Sequence, residues 1–469
     1  MKLMRLRFIL IILIKILLFN ACTSDDDLTE ISSTNPIVEA TNSTTKLITE
    51  WNTVWVSVDQ YTENMRPNTV TRALAYIHLT GYETAIPFMN NYTSLTNNYN
   101  NFTINTNVFN NEVNLDIALN TAYAITINHF MHSLEPGVRQ TISNFQNQKE
   151  AILETGLSED VIEASERWGR HVARRVIDFA ESDRSAEQQI NNPTPQSYEA
   201  PVGTGLWTAN ENEDAWFPYW REVRTFAITP EASSSIDFNS VLQYSTNTSS
   251  DYYQQMMAVY QSNGNASLQN NEDLWIAEFW SDDVEGLMIS PPGRQLSIAN
   301  QLIAQYDLDY TEALELLLRL GFAINDAAVS AWDDKYTYNI ERPSNFIRAY
   351  IDADFTTNLS RFIEEDNPAF PSYPSGHATF AGAAAGVFID FFGTDNISFT
   401  DRTYSNFTGL TFNGTPRSFT SFTGMARENA YSRVPLGVHV EQDAIEGLRL
   451  GYEIADAVNR INLQETILP

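Results

Sequence analysis

A chain of 469 residues, 43% of them hydrophobic and 12% aromatic, can bury a large core, which excludes disorder throughout. Against 59 acidic residues stand only 28 basic ones, a net charge of −31 that argues against nucleic acid and anionic lipid surfaces as partners. The single cysteine, Cys22, rules out an intramolecular disulfide and any cysteine-built zinc or iron–sulfur site.

The N-terminus begins with Lys2, Arg5 and Arg7, then an apolar run over residues 8–19 broken only by Lys15. That run is short for a bilayer span. With Ala21 before Cys22, it resembles a bacterial lipoprotein signal peptide (residues 1–21) that is cleaved to leave a lipidated Cys22. Phe19 and Asn20 depart from the strict signal and match the looser one of Bacteroidetes-like bacteria, and Ser24-Asp25-Asp26-Asp27 resembles an acidic surface-export signal. The resemblance implies an extracytoplasmic protein that is lipid-anchored to the outer membrane, exposed at the cell surface, and in touch with the membrane only through its lipid. Residues 22–48 are rich in Ser, Thr, Asn and Asp and read as a flexible tether.

The folded part is expected from about Trp51, as an N-terminal helical part over 49–300 and a C-terminal one over 301–469. Apolar spacings of three and four predict helices over 67–82, 113–132 and 158–180, and Pro67 suits a helix start. His78 reads as a satisfied core histidine. His129, His132 and His171 also read as structural, since no carboxylate stands at a metal-ligand spacing from them. Residues 90–114, dense in Asn and Thr, read as a surface loop, and 193–220 as a connection that wraps the helices. Residues 310–332 form a mostly apolar helix that delivers Lys335 just beyond its end. A loop or short hairpin is expected over 399–413, and helices over 428–433 and 441–458, with His439 near the start of the latter. Little of the chain alternates as strands do, so the class is all-α.

Three stretches carry chemistry. In the first, Lys335 and Arg342 lie seven positions apart, which is two helical turns, and end at Pro343. The second, Phe370-Pro371-Ser372-Tyr373-Pro374-Ser375-Gly376-His377, must stay extended through its prolines and then coil, so Ser375 is the expected N-cap. The free N–H groups of that first turn suit a tetrahedral oxyanion. In the third, Arg433 precedes His439 by six residues, with Asp443 four further on. Three fixed cations, two histidines and a helix N-terminus suit an oxyanion and its trigonal-bipyramidal form.

Lys-x6-Arg-Pro, Pro-Ser-Gly-His and Ser-Arg-x5-His, in this order, resemble the three signatures of vanadium-dependent haloperoxidases and type 2 phosphatidic-acid phosphatase relatives. The resemblance implies two packed helical bundles with the site in the C-terminal one. It implies that His439 bonds vanadium in orthovanadate while Lys335, Arg342, Ser375, Gly376 and Arg433 hydrogen-bond its oxygens. His377 then shuttles a proton, and Lys335 polarises hydrogen peroxide for attack by halide, so that a hypohalous species halogenates small organic acceptors. Trp332 and Phe370 match aromatic positions beside the vanadate, and Asp443 is placed to orient His439. Trp275 to Arg294 resembles a stretch in which an acid orients an active-site arginine, Asp283 matching better than Asp282. Two other readings stand: a vanadate-inhibited acid phosphatase with His439 as nucleophile, and a non-catalytic surface glycan-binding lipoprotein. The helical region preceding the first motif and the aromatic positions favour the peroxidase, with iodide or bromide as halide.

Overall fold

The structure is a computed structural model that describes residues 39–464 apart from 97, 110–111, 210–213, 234–241, 264–270, 364–366 and 408. The signal peptide, Cys22 and the acidic run after it lie outside the described residues. A compact unit begins at Glu39. The folded part opens earlier than expected, because α1 (Ser43–Asp59) is capped by Asn42, whose side chain accepts from the Thr45 amide. Leu47 and Ile48, assigned by sequence to the tether, are buried. Such a side chain gains about 1.5–3 kcal/mol on leaving water, which ordered-tether composition alone did not reveal.

After α1 come α2 (Asn68–Ala85), α3 (Leu115–Phe130), α4 (Pro136–Leu153), α5 (Glu159–Glu181) and α6 (Arg184–Asn191). The helices read at 67–82, 113–132 and 158–180 are therefore present, whereas polar α4 was not foreseen. Residues between α2 and α3 are mostly irregular, as expected, yet Leu95 and Phe102 are fully buried, so this segment covers the core rather than floating above it. The connection after α6 does wrap the helices. Leu206 bridges to Ile340, and the Trp216 amide donates to the Ala369 carbonyl at 3.0 Å.

Next in the chain are α7 (Asp251–Ser262), α8 (Asn271–Phe279), α9 (Pro291–Gln305) and the long α10 (Tyr310–Tyr338). The expected division at 300/301 falls inside α9. Asp309 and Glu312 close a capping box at the start of α10, and Asn339, at φ 50°, ends it in the left-handed region that Asn tolerates. Lys335 thus lies inside the last turn of α10, not beyond the helix. Arg342 caps the next helix, α11 (Pro343–Tyr350), so the two cations do not share a helical face.

Helix α12 (Gly376–Phe392), strands β1 (Phe399–Asp401) and β2 (Arg417–Phe419), α13 (Phe422–Leu436) and α14 (Glu441–Asn459) complete the order. Where a loop or short hairpin was expected over 399–413, β1 pairs antiparallel with β2, and the hairpin ends at Phe419, six residues later. α10 lies between α2 on one side and α12 on the other, and α12 packs along α14. Their approach is close enough that a Cβ on Gly382 would sit 2.6 Å from the Leu448 carbonyl oxygen, and one on Gly447 2.6 Å from that of Ser375. Small residues here let two backbones touch, and Gly447 brings α14 against the start of α12.

Candidate active site

The segment before α12 folds as its prolines require. Ser375 is the N-cap, in extended conformation, and its hydroxyl oxygen accepts from the Ala378 amide. Its own amide donates to the Asp443 carbonyl at 3.0 Å, fastening this N-terminus to the first turn of α14. Gly376 packs on Trp332, whose ring would be 3.3 Å from a Cβ there. The third motif is a helix end, a turn and a helix start. Arg433 lies in the last turn of α13, Gly437 at φ 95° reverses the chain, and His439 precedes α14. That reversal explains how six residues set an arginine and a histidine facing one cavity.

The cavity, about 530 Å³, has Gly376, His377, Arg433 and His439 in its wall together with Trp332 and Phe370, whose ring centroids are 4.9 Å apart. Arg342 is buried behind His439. Its Nη1 donates to the Val438 carbonyl at 3.0 Å and to His439 Nε2 at 3.1 Å, and its Nε to the Phe370 carbonyl. A guanidinium has no acceptor, so Nε2 must carry the lone pair and Nδ1 the proton. Nδ1 meets Asp443 Oδ2 at 2.9 Å, which is the orienting contact expected of that acid. Asp443 is buried, and burial pushes its carboxyl up to about 6. Burial first, and then Arg342, Lys335 and Arg433, hold His439 well below the ordinary histidine range.

His377 is fixed from the other side. Its Nε2–H donates to the Ser281 carbonyl at 2.9 Å, leaving Nδ1 as the ring nitrogen able to take a proton. Burial, with Arg433 second, lowers it to about 3. Arg433 Nη2 pairs with Asp283 Oδ2 at 2.5 Å and Nη1 with the Ser281 carbonyl. The choice left between two acids resolves to Asp283 as the arginine's partner. Asp282, at φ 49°, instead grips the fully buried Arg294, which also bonds Asp401 and lies between the rings of Phe279, Trp280 and Tyr404. This staple holds the loop that supplies Ser281 and Asp283. A main-chain carbonyl has no sequence signature, so Ser281 was missed; Arg294 stood in a quoted stretch but carried no role.

Lys335 is fully buried with its three ammonium hydrogens directed at the carbonyls of Pro371, Ser372 and Pro374, 2.9, 2.7 and 2.6 Å away. Burial and the Arg342 charge drive its pKa well down. In this arrangement it clamps the segment leading to Ser375 and is not part of the cavity wall. The described residues contain no cluster of three His, Cys, Asp or Glu side chains able to cage a cation. What they do contain is Arg342 Nη2 and Arg433 Nε, both buried and both without a hydrogen-bond partner. Buried guanidinium donors left open are costly, and an anion with several oxygens is the group that would satisfy them. The residues therefore fit an oxyanion of the vanadate kind, with a lone pair on His439 Nε2.

Residues 315–465 match the family model of the VCPO second helical-bundle domain. The vanadium-dependent bromoperoxidase of Ascophyllum nodosum is 34% identical over 165 residues, covering 34% of this chain and 26% of that protein. Residues 315–465 thus resemble the second helical bundle of vanadium haloperoxidases. Vanadium chloroperoxidase of Curvularia inaequalis is 24% identical over 214 residues, or 35% of each chain. The match thus spans about a quarter to a third of these curated relatives. Among solved structures, the first bacterial vanadium-dependent iodoperoxidase superposes with a TM-score of 0.76 at 23% identity, over 92% of this chain and 100% of that one. A holo-type bacterial vanadium-dependent chloroperoxidase gives 0.65 at 14% identity, over 91% and 98%. The haloperoxidase fold therefore extends well beyond the matched C-terminal domain.

Proposed function

We propose that this chain is a vanadate-dependent haloperoxidase that uses hydrogen peroxide to oxidise iodide or bromide to a hypohalous species. The observation that carries the reading is the pair of open guanidinium donors, Arg342 Nη2 and Arg433 Nε, beside a His439 whose Nε2 is held as an acceptor. Vanadate would be held by His439 Nε2, Arg342, Arg433, Ser375, Gly376 and His377. Bound there, it supplies Lewis-acid activation of hydrogen peroxide without changing its own oxidation state.

The remaining work belongs to the side chains. Arg342 and Arg433 offset the anion's charge, at about 1.5–3 kcal/mol for each charge-assisted bond. His377 holds its Nε2 proton on the Ser281 carbonyl and exchanges a proton at Nδ1, as general base and then acid. Trp332 and Phe370 keep the wall apolar and limit water beside the anion. Lys335 keeps the Ser375 segment in register through its three carbonyl contacts and, by exchanging one of them, can turn a hydrogen toward the oxidant.

The same donors would hold a phosphomonoester, so one assay separates the readings. The protein is stripped with chelator and phosphate and reloaded with vanadate, then iodide oxidation by peroxide is compared with p-nitrophenyl phosphate hydrolysis. Vanadate-dependent iodide oxidation is expected; hydrolysis that vanadate inhibits, with no oxidation, would overturn the proposal. We further propose lipid anchoring at Cys22 and display on the outer membrane, a reading supported by the N-terminal sequence. Cys22→Ser should release the protein from the membrane fraction, and continued fractionation with membranes would refute the anchor.

A further inference from the structure

We infer that Ser372 is a positioning residue that reinforces the Nδ1–H tautomer of His439, which Arg342 and Asp443 favour, and so helps keep Nε2 ready to bind the anion's central atom. The inference rests on the oxyanion-binding reading above and deepens it. Ser372 lies three residues before the N-cap and is buried. Its amide donates to the Ile340 carbonyl at 3.0 Å, which pins the backbone to the stretch that leaves α10. Its carbonyl accepts from Lys335 Nζ at 2.7 Å. Its hydroxyl donates to Asp443 Oδ2 at 2.5 Å and lies 3.2 Å from His439 Nδ1.

A serine hydroxyl has one hydrogen. With that hydrogen on Asp443, the oxygen turns only lone pairs toward Nδ1. Nδ1 therefore faces two acceptors, Ser372 Oγ and Asp443 Oδ2, while Nε2 faces a group that can only donate, Arg342. A proton on Nε2 would set lone pair against lone pair on one side and hydrogen against hydrogen on the other. The Val440 backbone N–H also bonds the Asp443 carboxylate, and Ser372 adds a further anchor on Oδ2, the oxygen that Nδ1 meets. The Ser372 hydrogen bond holds Oδ2 in the plane that Nδ1 needs, as partners behind a ligating histidine do. Through its carbonyl the same residue joins Lys335 to this arrangement, so one serine links the lysine clamp to the histidine ligand.

The test begins with the native full-length chain, free of anion and labelled with ¹⁵N-histidine, in which two-bond ¹⁵N–¹H correlations report each tautomer. The His439 signals are assigned by their loss in His439→Gln. We expect native His439 to carry its proton on Nδ1, and a native Nε2–H form would overturn the inference without any variant at the site. Ser372→Ala should admit a minority Nε2–H form and bind vanadate about 10–100-fold more weakly, with Ser372→Thr restoring most of the affinity because it returns the hydroxyl. An unchanged tautomer and unchanged vanadate affinity in Ser372→Ala would also overturn it. If the native chain neither binds vanadate nor oxidises halide while the tautomer still shifts in Ser372→Ala, the proposed function falls and the role of Ser372 stands.

Discussion

His78 in α2 and His439 ahead of α14 are both buried and both held neutral, in opposite surroundings. Neither ring nitrogen of His78 has a hydrogen-bond partner among the described residues, so the expectation of a satisfied core histidine is half right: core, but not satisfied. Burial alone brings it to about 3. His439 has both nitrogens engaged, and Arg342, Lys335 and Arg433 add to its burial. The two shifts share a direction and differ in cause. Depressed basicity therefore does not mark a site in this protein; convergence of cations around a histidine with assigned protons does.

The sharpest way to break this contrast is to remove each ring. His439→Ala is expected to abolish vanadate retention and halide oxidation, read by metal analysis after dialysis and by iodide turnover, whereas His78→Leu should keep both. Full activity in His439→Ala would sink the assignment. Next in size, His377→Ala should lower kcat by about 10²–10⁴-fold while vanadate stays bound. Equal rates would show that no proton passes through Nδ1.

A third change tests the loop held by Arg294. Asp283→Ala leaves Arg433, 1% exposed in its side chain, without its carboxylate. Removing one partner of such a buried pair costs about 3–5 kcal/mol, and the 15% exposure of Asp283 favours the lower end. Urea denaturation of the anion-free protein reads this, and a loss below about 1 kcal/mol, the size of an exposed pair, would show the pair to be ornamental.

The last effect concerns pH. A histidine of ordinary pKa 6.5 that stays neutral to about 3 when folded takes up a proton more readily unfolded. Stability from His78 and His377 is thus present above about 6.5 and is lost as pH falls toward about 3. At roughly 1.4 kcal/mol per pKa unit this is a few kcal/mol per residue. His78→Leu should flatten the acid side of the stability curve measured between pH 7 and pH 4, and an unchanged slope would place the loss elsewhere.

The helices at 67–82, 113–132, 158–180 and 441–458 were legible because an apolar stripe at helical spacing is a local property. Ser375 as N-cap was legible for the same reason, since two prolines dictate where coiling can begin. The end of α10 was not, because residues 333–338 are polar and their helix is held by what it buries, Lys335 included. Nor could pattern tell that Leu47 and Ile48 belong to the core, as their partners lie far along the chain.

The sequence alone determined which residue types exist to grip an oxyanion and in what order they come, for motif spacing is written in covalent connectivity. Only the tertiary structure decided that Ser281 and Ser372 join the site and that Lys335 turns to carbonyls, while the Arg433–Asp283 pair follows the preference already read from the sequence. Those outcomes depend on which backbone oxygens and carboxylates arrive from distant segments. A buried polar atom takes the partner that packing brings to it.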